Sequence, residues 1–190
     1  MNKSTDLFSF NLDKRVIKSA ALQAVAFILQ NTYSGKDKDN KPFVGYGTKT
    51  FAMPLAAFFS ITGKKHRANL NKEGDLQIFT SKKSGKRWIA IEGGYKNFKE
   101  KWSFKKAQTV NLSFSGQMLK ELQVMEVGDS FAYIGFKSKE MAERASYHVF
   151  QGAGKRRVIR NFLGLPSIQQ DKIAEYIAKN IKLEFRGLSN

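Results

Sequence analysis

The sequence predicts an α+β fold: an antiparallel sheet built from hairpins, packed against a long N-terminal helix and a C-terminal helix. Three observations carry this. Two pairs of β-rich runs, 76–80 with 87–92 and 122–127 with 131–136, are joined by short polar turns, as hairpins are and parallel crossovers are not. Near the start of the chain Leu12, Val16, Ala20, Val25, Ile28 and Leu29 recur at helical spacing. Near its end Ile168, Ile173, Ile177, Ile181 and Leu183 do the same.

The first helix is expected from Asn11, a suitable N-cap, to about Tyr33 and Gly35, behind an irregular lead-in over residues 1–10. Residues 34–54 are dense in turn formers, among them Gly35, Asp37, Asp39, Asn40, Pro42 and Gly45, and read as a long loop. Met53 to Ile61 is apolar enough for a short helix, and Gly63 to Lys72 is a basic connector. The runs 76–80 and 87–92 then form a hairpin whose tip, Ser81 to Lys86, is basic. Tyr95, Phe98 and Trp102 share a helical face with lysines around it, and this stripe reads first as core. Val110 to Phe114 alternates at period two, and Ser115–Gly116 opens a short helix or bend. The hairpin 122–136 turns at Gly128–Asp129, and Ser138 caps a helix running to Gln151. A glycine-punctuated basic loop, Gly152 to Arg160, follows, with His148 and Phe150 anchoring one side and an apolar plug at Phe162, Leu163 and Leu165 the other, then a terminal helix capped by Ser167 and ending before Gly187.

A chain of 190 residues that is 42% hydrophobic and 13% aromatic carries enough apolar surface for a full core, and we read residues 1–190 as one domain with a loop at 34–54 and a hairpin insertion at 76–92. Its charge is unusual. Lys and Arg number 33 against 16 Asp and Glu, a formal charge of +17, which favours polyanions or acidic protein surfaces as partners. Without cysteine there are no disulfides and no thiolate metal sites. No apolar run reaches the roughly 20 residues of a membrane span, and the N-terminus does not read as a secretory signal. No membrane partner is expected.

The residues point away from catalysis. A nucleophile needs an oriented base beside it, and the two histidines, His66 among lysines and His148 at the end of a helix, have no partner evident in sequence. The carboxylates are scattered, with no pair spaced for acid–base work or two metals. Asp37, Asp39 and Asn40 lack the ligand alternation, central glycine and distal glutamate of a calcium loop, and Gly45 and Gly47 do not continue into a phosphate-binding fingerprint. No cofactor and no metal are expected.

Three segments read together resemble a known family. They are Val110-Asn-Leu-Ser-Phe-Ser-Gly-Gln-Met-Leu-Lys-Glu-Leu122, the strand ending Ala132-Tyr-Ile-Gly-Phe136, and Ala145-Ser-Tyr-His-Val-Phe-Gln-Gly152 followed by Arg160-Asn-Phe-Leu-Gly-Leu165. In this order and spacing they are similar to the tail-completion, or virion-morphogenesis, proteins of tailed bacteriophages, which overlap with head–tail connector and neck components. Gly94-Tyr95-Lys96, with Phe98 and Lys99, fits upstream. The resemblance covers residues 94–185, whereas residues 48–92 have no counterpart in it.

The resemblance implies a non-enzymatic structural protein of the virion, made in the host cytoplasm. Such a protein joins tail to head as a ring, commonly hexameric, around the DNA channel. Its partners would be copies of itself, the connector or adaptor, and tail-tube or tail-terminator proteins. Arg156, Arg157 and Arg160, with Phe162, Leu163 and Leu165, then become candidate interface residues, the guanidinium groups suited to bidentate carboxylate contacts. The alternative is a basic nucleic-acid-binding module over residues 62–106, with Lys82, Lys83, Lys86, Arg87, Lys96 and Lys99 as candidate contacts. The two are compatible if the channel passes DNA.

Overall fold

The computed structural model describes residues 8–63, 74–102, 110–112, 116–152 and 157–185. The chain is α+β, with its strands in antiparallel pairings throughout. Where the sequence suggests one sheet, the described strands form three separate ones. The chain divides into two compact units, residues 1–42 with 117–190, and residues 43–116.

The first unit is built on helix α1, Lys14–Tyr33. Asp13, not Asn11, caps it, its carboxylate accepting the Arg15 amide at 2.8 Å, because Asn11 belongs to a strand. Ile17, Ala20, Ala21, Val25 and Ile28 are buried at helical spacing. They face a hairpin of β5, Leu122–Val127, and β6, Ala132–Phe136, with Leu122 opposite Phe136 and a bulge between Val124 and Glu126. The short helix α4, Gln117–Lys120, buries Met118 and Leu119. Helix α5, Lys139–Ser146, starts at Ser138, whose hydroxyl accepts the Met141 amide at 3.4 Å. Glu121 fixes that start by accepting both the Ser138 amide, at 3.1 Å, and its hydroxyl, at 2.6 Å.

The chain ends differ from expectation. Helix α6, Ser167–Asn180, lies on α1, but Pro166 precedes it and the Ser167 side chain does not cap it. Ile181 turns extended (φ −73°, ψ 125°), and Lys182–Phe185 forms strand β7 rather than more helix. Its antiparallel partner is β1, Phe8–Asn11, inside the expected lead-in. Each segment alternates weakly alone, and the ladder between them decides the conformation.

The second unit is a sheet in the order β2–β4–β3, comprising β2, Phe51–Pro54, β3, Leu76–Thr80, and β4, Arg87–Ile91. Strand β2 occupies the end of the expected loop and pairs with β4. Helices α2, Leu55–Thr62, and α3, Gly94–Trp102, cover one face. There Leu55, Phe58, Ile89, Ile91, Phe98 and Trp102 form the core. Their rings pack edge-on or tilted, Phe58 against Trp102 at 5.3 Å and against Phe98 at 5.8 Å between centroids. Val110–Leu112 are not a strand, and the rest of that expected strand lies outside the described residues. Among the described residues, no helix is long and apolar enough to cross a membrane.

Candidate functional site

The loop that follows α5 is held at its base. After Ser146 the helix widens into a π-turn over Tyr147–Gln151 and stops at Gly152. Gly152 has φ +79°, and a Cβ there would stand 2.1 Å from the Arg157 carbonyl oxygen, so only glycine permits this approach of the loop's two ends. Arg157 itself adopts the left-handed region at φ 47°. Three residues on, the Arg160 amide donates to the His148 carbonyl at 2.7 Å. The Lys38 amide then donates to the Asn161 carbonyl at 2.9 Å, tying the departing strand of the loop to the turn after α1. In that turn the Asp37 carboxylate accepts the Asp39 and Lys41 amides at 2.9 and 2.8 Å, which is a turn-capping role rather than a cation site.

The candidate interface residues divide. Arg156 lies outside the described residues, and Arg157 is exposed at the loop base. Arg160 is buried, at 6% exposure, so its guanidinium belongs to the interior of the unit and not to an outer surface. Phe162 is likewise a core residue at 1% exposure, and Leu163 and Leu165 are half-buried. The sequence pairs Phe150 with His148 as an anchor, yet Phe150 is 74% exposed. Tyr147 and Ile159, flanking the same base, are exposed too. Sequence does not mark these three as outward-facing; the widened turn puts Tyr147 and Phe150 outward, and helical periodicity does not register a π-turn.

His148 is half-buried at this base. Burial, and then the positive charge of Arg160, push its imidazole below the ordinary value of 6.5. Its Nδ1 is enclosed and has no hydrogen-bond partner among the described residues.

The basic residues of the second unit divide as well. Lys82, Lys83, Lys86 and Arg87 are all exposed at the β3–β4 tip, which closes with Ser81 N–H on the Lys86 carbonyl and Gly85 N–H on the Ser81 carbonyl, both at 2.9 Å. Lys96 is exposed and lies 3.9 Å from Glu100. Lys99 is buried, at 1% exposure, and cannot touch a nucleic acid. Its ammonium donates to Asn111 Oδ1 and to the Tyr46 hydroxyl at 2.8 Å, and lies 4.8 Å from the centre of the Tyr46 ring. The signal was in the spacing: Lys99 follows Tyr95 by four positions and precedes Trp102 by three, on the apolar stripe itself. Beneath the same helix, burial alone would raise the Asp75 carboxyl, but the hydrogen bonds from Lys101 and Asn97 outweigh it and hold the group below the usual carboxylate value.

Among the described residues, no group of three or more His, Cys, Asp or Glu side chains is placed to hold a metal ion. Comparison of the chain with protein-family models, with curated proteins and with solved structures returns no match.

Proposed function

We propose that this chain is a non-enzymatic structural protein of a tailed-phage particle. It sits in the neck, completes the tail end, and joins it to the head connector as one subunit of a ring around the DNA channel. The observation that carries this reading is the loop base, fixed by the Gly152–Arg157 approach and the Arg160–His148 hydrogen bond, with Tyr147, Phe150 and Ile159 exposed beside it at 52, 74 and 56%. Large apolar side chains held outward on a fixed backbone are the material of subunit contacts. A contact between this base and a different surface of the next copy is heterologous, and its repetition gives a ring when the rotation between copies closes. The ordered resemblance over residues 94–185 supports the place in the particle. Arg157 supplies an exposed guanidinium for acidic groups on a connector or tail-tube neighbour.

The test combines light scattering and negative-stain imaging of the purified chain with mass spectrometry of purified particles. A hexameric ring, dispersed by Phe150→Asp with an unchanged circular dichroism spectrum, supports the reading. A chain that is monomeric at every concentration and missing from the particles overturns it.

A further inference from the structure

We propose that the outer face of the β2–β4–β3 sheet binds single-stranded nucleic acid, with Trp88 and Phe79 as stacking surfaces and the β3–β4 tip as the phosphate contact. Successive side chains on a strand alternate between faces. Ile89 and Ile91 enter the core, so Trp88 and Ala90 belong to the opposite face. The register then places Pro54 and Phe79 on either side of Trp88 in one row across three strands. Pro54 is exposed, Phe79 is 43% exposed, and Trp88 is half-buried between them. The core rings of this unit pack on one another, but among the described residues neither Phe79 nor Trp88 makes a ring contact.

The charge of the β3–β4 tip, one residue pair beyond Trp88 and Phe79, narrows the class of ligand. Three cations, Lys82, Lys83 and Lys86, stand exposed in the tip, whereas Arg87, also exposed, alternates onto the face of Ile89 and Ile91. Among the described residues none of them has an ion-pair partner, whereas Lys14, Lys38, Lys101 and Lys139 each lie beside a carboxylate. Two exposed or half-exposed aromatic rings beside unpaired cations complement a chain that carries planar bases and phosphates together. A duplex hides its base faces, and an acidic protein would use the cations but not the rings. The inference is independent of the assembly reading, since it concerns the other unit and is measured on the chain in solution whatever its oligomeric state.

The experiment is fluorescence anisotropy of the full chain with a labelled oligothymidylate long enough for a site of about 4–16 nucleotides. A matched duplex and poly-glutamate serve as the comparison probes. Single strand should bind tighter than either, and Phe79→Ala should weaken it about fivefold or more with an unchanged circular dichroism spectrum. Lys82→Glu with Lys83→Glu should weaken binding further and flatten the log–log salt dependence by roughly 0.7 per cation lost. Tryptophan emission gives a second readout. Trp102 is buried at 4% exposure, so quenching on binding reports Trp88, and Trp88→Phe should keep most of the affinity while losing the quench. No single-strand binding at low salt overturns the proposal. So does equal binding of duplex or poly-glutamate with Phe79→Ala unchanged.

Discussion

Asn31 and Gln169, 138 residues apart in sequence, exchange two hydrogen bonds: Asn31 Nδ2 donates to Gln169 Oε1 at 2.8 Å, and Gln169 Nε2 donates back to Asn31 Oδ1 at 3.1 Å. Asn31 is buried, and α6 has no fully buried side chain of its own. The amide pair therefore does much of the work of fixing α6 against α1. Removing one partner leaves the other enclosed without its bonds, so Asn31→Ala should destabilise the chain by about 1–3 kcal/mol in urea denaturation. Adding Gln169→Ala to that variant should cost little more, because the interaction is already gone.

His148 makes stability depend on pH. Its folded-state value lies below the ordinary 6.5, through burial first and Arg160 second, so in the window between the two values the unfolded chain binds the extra proton. The contribution of the neutral imidazole is complete above 6.5 and is lost as pH falls below it. Denaturation midpoints measured from neutral pH downward should fall for the native chain through this window. In His148→Gln the fall should be smaller.

Gly152→Ala tests the loop base. A methyl group there meets the Arg157 carbonyl and also meets a backbone with φ +79°, so the two ends of the loop must separate. The expected result is a loss of about 1–3 kcal/mol and faster amide exchange at Arg160, whose N–H bonds to His148. Gly45→Ala, with no atom of the described residues within 4 Å of the added carbon, should leave stability within about 0.5 kcal/mol.

Glu121→Ala should fray the start of α5. Its carboxylate takes both donors of Ser138, the residue that caps the helix. Loss of a charged acceptor for a partly buried pair is expected to cost about 1–3 kcal/mol, measured by thermal denaturation.

Much of the architecture was legible in sequence because it rests on local periodicity. The stripe of α1, both hairpins and the Ser138 cap are set by residues within a few positions of one another. What was not legible depends on distant partners. Lys182–Phe185 continues a helical pattern in isolation and becomes a strand because Phe8–Asn11 pairs with it. Arg160, through the resemblance, and Lys99, through the charge around it, read as surface cations in sequence. Their burial follows from where the loop base and the α3 stripe put them, and charge counting does not see this. Phe150 was misplaced for the opposite reason, since an aromatic residue normally reads as an anchor and the π-turn rotates it outward.

The order of the two units along the chain sets an order of assembly. Residues 43–116 form a contiguous unit, whereas the other unit needs both the segment before it and the segment after it. During synthesis the sheet β2–β4–β3 has all its strands while α1 still lacks β5, β6 and α6. The apolar face of α1 thus waits, uncovered, for partners made much later, and the β1–β7 ladder cannot close until β7 has emerged. Slowing translation after residue 116 should lengthen the exposure of that one helix and leave the inserted unit untouched.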